Sequence, residues 1–254
     1  METQYFSFQG KAYIAERDAS GNPLALRWLF DVSALSIELA TETSEKTESW
    51  SGNRLTAAQI NRSISANVSM TLDGGNRDNL ALALFGTKVD VIGGTISGEV
   101  FPDMLVAGDV VRLKNENVST VTITDSAPVT PVALVAGTDY NVIDAFAGLI
   151  EIINIGAFTQ PFVAAYTAAA AESVVMFGQQ AKDRWIVFSG INTVDNTPVK
   201  LDLYKVRLQP TQNLALINEE FGNFELAGQA LFDSSKASDP ALGGFGRLVT
   251  KVPA

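Results

Sequence analysis

The 254-residue chain contains no cysteine and no histidine. The first absence excludes disulfides, thiolate metal sites, iron–sulfur clusters and a cysteine nucleophile. The second removes the usual general base, the commonest zinc ligand and any Ser-His-Asp relay. Long apolar runs are also missing. Leu80–Phe85 and Pro161–Ala171 fall well short of the roughly 20 residues that a membrane-spanning helix needs, so no membrane segment is expected. The start, Met1–Phe8, lacks a basic region followed by an apolar one, and no signal peptide is expected there. Basic side chains are few: 18 face 28 acidic ones, for a net charge of −10. That balance disfavours tight binding to nucleic-acid phosphates, which requires clustered Lys and Arg.

What is present belongs to a folded protein: 46% hydrophobic and 18% charged residues. The length suits one large all-β domain or two smaller ones. Charge is spread unevenly. Residues 89–181 hold only Arg112 and Lys114 against 10 acids, while residues 182–254 hold 8 of each sign. The middle is also richer in Ala, Val, Ile and Thr. These shifts predict a discontinuous β domain from residues 1–100 and 175–254, interrupted by an acidic, β-rich insertion at 101–174.

Period-two alternation dominates. In Ser63–Leu72 every even position is apolar and every odd one is Ser, Asn or Thr, the pattern of a strand with one buried and one wet face. Phe224–Phe232 reads similarly. Val199–Leu208 alternates but changes phase between Leu203 and Tyr204, which predicts a β-bulge or a change of sheet. Further strands are expected at Phe6–Ala15, Val32–Ala40, Val110–Leu113, Val118–Thr124, Leu149–Ile155 and Arg184–Ser189. One helix is well marked: Asn76 or Asp78 as N-cap, Leu80–Phe85 as body, Gly86 as stop. A second short helix is expected within Pro210–Phe221. The stretch 41–62 fits neither period. It is polar, spans 22 residues and joins two convincing strands, where connections usually run about 4–6 residues. It reads as an extended hairpin or an arm that orders on a partner, with Trp50, Leu55 and Ile60 favouring the docked arm over a loose tip.

Catalytic constellations are weak. Glu219–Glu220 are adjacent acids of the kind found in solvated turns, although a carboxylate-dependent hydrolase would need no histidine. Asp73, Asn76 and Asp78 loosely match a calcium loop but lack its remaining oxygens and closing Glu; a turn followed by a helix cap explains them. Gly243–Gly246 lacks the flanking strand, helix and Lys of a phosphate cradle. Arg184, Lys205 and Arg207 form no basic stripe with interleaved aromatics. No catalytic residue, metal ligand or cofactor is expected, and the features present point to an assembly protein.

The order of segments resembles the major tail (tail tube) proteins of long-tailed, siphovirus-like bacteriophages. The resemblance lies in the strand Val32–Ala40 with the charged loop Thr43–Trp50, and in the alternating strand Asn61–Leu72 with the helix Asp78–Gly86. It continues in Asp202–Pro210 and Leu214–Gly228, and covers about the first 90 and the last 75 residues. It implies a mainly β subunit, a tail-tube-type β-sandwich or partial barrel with a flanking α-helix, a long interstrand loop and an inserted β subdomain. Six such subunits would form a ring, and rings would stack into a hollow tail tube conducting double-stranded DNA as passing cargo. Implied partners are further copies of the chain, a tape measure protein, a tail terminator and distal tail proteins. The implied location is the virion, after assembly in the host cytoplasm. Glu42, Glu45, Lys46, Glu48, Trp50 and Arg54 are the contact residues this carries over for neighbouring subunits or rings. Ser63, Ser65, Asn67, Ser69 and Thr71 are a candidate lumen face, or else an ordinary outer face. Two other classes remain: a secreted or surface β-sandwich adhesin-like module, and a carboxylate-dependent hydrolase.

Overall fold

The computed structural model describes residues 5–251. The first four residues and the last three, which the expected outer domain includes, lie outside that range. The elements in chain order begin with β1 (Phe8–Glu16), β2 (Arg27–Trp28), β3 (Val32–Thr47), β4 (Thr56–Leu72), α1 (Arg77–Ala83), β5 (Thr87–Val91), β6 (Gly94–Val100), β7 (Val110–Arg112) and β8 (Val118–Thr124). They continue with β9 (Tyr140–Asp144), β10 (Leu149–Ile152), β11 (Val163–Ala168), β12 (Ala171–Val175), β13 (Asp183–Asn192), β14 (Pro198–Leu208), β15 (Phe224–Ala230), α2 (Ser234–Ala237) and β16 (Gly246–Thr250). The fold is mainly β.

The chain forms two compact units. One combines the chain up to Thr87 with the chain from Val174 onward; the other is Lys88–Ser173. The insertion therefore begins at Lys88, not at residue 101. The reason is pairing: β6, assigned from sequence to the outer domain, hydrogen-bonds along β11 from Val100↔Val163 to Gly94↔Ala168. Two glycines and only two apolar positions, Ile96 and Val100, gave that strand too little periodicity to be seen.

In the first unit one antiparallel sheet runs β2-β1-β13-β14-β15-β4-β3, with β16 also paired to β14. The resemblance suggests a sandwich or partial barrel; the strands of this unit join in one forked sheet. The fork is at β14, which pairs with β15 through Val206–Leu208 and with β16 through Val199–Leu203. A bulge lies between those halves. Arg184 faces Val206 and Ile186 faces Leu203, so Tyr204 and Lys205 together oppose Trp185. The extra residue lets Leu203 and Val206 both reach the core, which is the physical content of the phase change in the sequence. The core gathers Ile14, Ala66, Val68, Met70, Leu72, Ile186 and Leu226 from four strands, with Leu80, Leu82 and Ala83 of α1 packed on it. On the sheet's other face Trp185 and Tyr204 pack with Ala15 and Val187.

Local chemistry sets the helix ends. The Asn76 side chain accepts from the Asn79 amide and starts α1. The helix ends at Ala83, two residues sooner than expected. Phe85, not Gly86, takes the left-handed position (φ 48°), and the Gly86 amide closes back on the Ala81 carbonyl at 2.7 Å. The helix expected within Pro210–Phe221 does not form; that stretch has no regular structure, and the second short helix is α2, capped by Asp233. In the other unit, two three-stranded antiparallel sheets, β7-β10-β9 and β6-β11-β8, enclose Phe101, Leu113, Ile123, Ile150, Ile152 and Phe162. β5 and β12 pair with each other where the chain passes between the units.

Candidate assembly surface

The stretch read as a long interstrand loop is mostly strand. β3 and β4 pair continuously from Val32↔Leu72 to Thr47↔Thr56, leaving only residues 48–55 as a tip. Its near half belongs to the sheet, with Ala66, Val68 and Met70 buried. Its far half is a ribbon without a core: Thr41–Thr47 and Thr56–Ile64 are exposed throughout apart from half-buried Ser44. A bulge at Arg62, between the pairs Glu42↔Ser63 and Thr43↔Asn61, reverses the facing of β4. Opposed residues share a face, so Ile64 (opposite Thr41) and Ile60 (opposite Ser44) project from opposite sides of the ribbon. A two-stranded ribbon is only marginally stable in water by itself.

The six predicted contact residues divide. Glu42, Glu45, Lys46, Trp50 and Arg54 are exposed. Glu42 accepts from the Ser63 hydroxyl (3.0 Å) and Glu45 from the Thr56 hydroxyl (3.4 Å), each across the ladder. Trp50 is 80% exposed. Arg54 holds a left-handed turn position (φ 51°). Glu48 departs from the expectation. It is buried within the tip, where its carboxylate accepts from the Ser51 hydroxyl and from the amides of Trp50 (2.9 Å), Ser51 (2.9 Å) and Leu55 (3.4 Å). The Ser51 hydroxyl first, then the amides, hold its pKa down at about 2. Glu48 clasps the tip and is not available to a neighbour.

Ser63, Ser65, Asn67, Ser69 and Thr71 lie together on the sheet face opposite the core. The sequence shows this strand face as free of charge, but its neighbours change the surface. Register places Ser36, Glu38, Ala40 and Glu42 of β3 beside it, and Glu225, Ala227 and Gln229 of β15 on its other flank. Ser36 and Ser69 hydroxyls meet at 2.7 Å. Arg207, opposite Gln229, is held by Asp183 at 2.7 Å. The face is therefore polar, with Glu38, Glu42 and Glu225 as its exposed acids and Arg207, held by Asp183, as an exposed cation at its border. Glu38 and Glu225 were invisible to a reading that followed one strand at a time.

Two features were not anticipated. β3 is an edge strand along its whole length, offering unpaired backbone groups to another chain. Between the arms of the fork lies an open groove of about 930 Å³, walled by Phe6, Phe8, Leu35, Leu39, Leu201 and Leu248 among others. The alternation of Leu35, Ile37 and Leu39 signalled an apolar face, but not that the face lacks a cover. Phe6 and Phe8 stack at 5.2 Å and remain 73% and 41% exposed.

Catalytic arrangements gain little. Glu219 and Glu220 share a cavity of about 790 Å³ with Asp73, Ser33 and Phe221. Among the described residues no cluster of acids has the arrangement of a metal site, and no helix is long and apolar enough to cross a membrane. Asn76 acts as the helix cap and the Asp73 carboxylate accepts from the Ser33 hydroxyl (3.2 Å). A family model described as "Protein of unknown function UCP028589" matches residues 5–249. No curated protein matches the chain.

Proposed function

The chain belongs to that family over nearly its whole length, and we propose that it is a self-assembling tube subunit of the kind found in the tails of long-tailed bacteriophages. In this reading six copies close a ring and rings stack into a hollow tail tube. The tube resides in the virion after assembly in the host cytoplasm, with tape measure, terminator and distal tail proteins as partners. The observation that carries the reading is the β3–β4 ribbon. It spends 16 and 17 residues on two strands, half of which bury nothing within the subunit. Such a ribbon is stabilised when neighbouring copies supply the packing and edge pairing that the monomer lacks. The acidic face of Glu38, Glu42 and Glu225 suits a wall along which DNA slides, because release of counterions, the driving force for phosphate binding, requires cations.

The test is negative-stain microscopy of the purified chain over rising concentration. Hollow tubes with regular cross-striation are the expected result. Monodisperse monomers at every concentration and ionic strength would reject the proposal.

A further inference from the structure

Two apolar features of the first unit stand uncovered. One is the groove in the fork. The other is the irregular stretch between β14 and β15. There Leu214 packs on the core, but Leu216, Ile217 and Phe221 are 86%, 96% and 101% exposed. Large apolar side chains gathered in so short a segment mark an interaction site.

We propose that the Leu216–Phe221 segment of one copy docks in the groove of a second copy. The inference rests on the self-assembly reading and names the surfaces that would carry it. A volume of about 930 Å³ sits near the top of the roughly 300–1,000 Å³ range of pockets that engulf a whole small ligand. It accommodates several side chains of an extended segment rather than one. The backbone also fits. Leu35, Ile37 and Leu39 of β3 line the groove, and β3 is the sheet edge, so an extended segment lying there can pair with it. Charge permits this placement without driving it: the segment carries Glu219 and Glu220, and the groove's lining holds one cation, Arg247, itself 3.6 Å from Asp202, and one acid, Asp31. Because segment and groove are different surfaces of one molecule, the contact is heterologous. It repeats from copy to copy without requiring mutual symmetry, as a stack does.

The competing occupant is the segment of the same chain. Ser33 borders both the groove and the cavity that holds Phe221, so a closure within one subunit is conceivable. The absence of cysteine makes the two separable by engineered thiols. Leu39→Cys and Ile217→Cys are prepared as single variants and as a double variant, then treated with a short bis-maleimide. The expected result is a covalent dimer from the mixed single variants in concentrated protein, and chains of crosslinked copies from the double variant. Internal crosslinking of the double variant as a monomer would overturn the proposal, as would tubes whose mixed variants do not crosslink. Crosslinked dimers without tubes would keep the groove contact and reject the tube. As a second measure, Ile217→Asp with Phe221→Asp changes only exposed side chains. It is expected to leave the thermal midpoint unchanged while raising the concentration needed for assembly at least tenfold. Assembly at the wild-type concentration would overturn the proposal.

Discussion

Shortening the β3–β4 hairpin separates what the ribbon does for the subunit from what it does for an assembly. Glu42 pairs with Ser63, so replacing Thr43–Arg62 by Asn-Gly joins the strands with a two-residue turn that matches their twist. The deleted residues contribute nothing to the core. Leu55, Ile60 and Trp50 are 60%, 66% and 80% exposed, and the one buried member, Glu48, bonds only within the tip. What remains is a solvated two-stranded ladder whose net contribution is about 0–1 kcal/mol. For a protein of this size that corresponds to a change of about 3 °C or less in thermal midpoint. The shortened chain is therefore expected to melt where the parent does and to remain monomeric by sedimentation at concentrations where the parent assembles. A fall of 10 °C or more would mean that the ribbon is part of the subunit's own stability. Tubes formed by the shortened chain would mean that the ribbon is dispensable for assembly, and either result refutes the reasoning.

Protonation of Glu48 should loosen the tip: its lowered pKa means the clasp is fully present above the ordinary value of 4.5 and is lost as pH falls towards about 2. Amide exchange at Trp50, Ser51 and Leu55 tests this. Glu48→Ala, which removes both acceptor oxygens, should abolish their protection at neutral pH without moving the global melting transition, and unchanged protection would refute it. Asn79 is fully buried; its amide donates to the carbonyls of Leu29 (2.9 Å) and Gly74 (3.0 Å), and its oxygen accepts from Arg27 (2.6 Å). Asn79→Ala strands all three partners and is expected to cost about 2–4 kcal/mol in urea denaturation; a cost below about 0.5 kcal/mol would show that water replaces them. In the other unit Tyr166 donates to Glu99 at 2.5 Å, and burial first, then Glu99, raises its pKa to about 12. A raised pKa keeps its contribution intact below pH 10 and removes it as pH climbs towards about 12. Tyr166→Phe should cost about 1.5–3 kcal/mol at neutral pH and flatten that alkaline loss, and an unaltered alkaline limb in the variant would assign the loss to another group.

The parts legible in the sequence are those where one burial pattern acts along one element. Val118–Thr124 has the bounds expected from its apolar positions. Leu80 and Leu82 of α1 pack half-buried against the core, and the phase change after Leu203 marks the bulge. The ribbon was illegible as strand because Thr41–Thr47 is polar on both faces. A strand without a core carries no period of two, and its Thr and Ser residues read equally well as loop. β16 was missed for another reason. Gly243–Gly246 looks like a turn, and only the tertiary fit explains its last glycine: a Cβ on Gly246 would lie 2.3 Å from the Asp202 carbonyl oxygen, across the pair with β14. The polar face was half legible. Ser63 to Thr71 declare it, but Glu38 and Glu225 join it only through a register that brings together residues far apart in the chain.

That register also changes the meaning of the acid excess. The 10 acids of residues 89–181 suggest a strong external field, yet most have local employment. Asp125 accepts from the amides of Val132 (2.6 Å), Ala127 (3.3 Å) and Thr159 (3.2 Å), bonds that lower its pKa. Asp139 accepts from the Val135 amide (2.8 Å) and the Asn154 side chain (3.0 Å), Asp144 from Phe146 and Ala147, and Asp109 from Val106. Glu99 takes the Lys114 amide and the Tyr166 hydroxyl. Short strands joined by turns leave many backbone N–H groups without ladder partners, and each needs an acceptor. A carboxylate is a strong acceptor for several amides at once. The unit can therefore be acid-rich and poor in Lys and Arg because several of its carboxylates are satisfied by backbone amides, with Glu116 paired to Arg112. In the proposed tube, the charge that would face DNA is elsewhere. Glu38, Glu42 and Glu225 stand on an exposed sheet face where no fold-building task claims Glu38 or Glu225, and Glu42 holds only a hydroxyl. Repulsion of phosphate in the proposed tube thus rests on three side chains of the first unit, not on the chain's net charge of −10.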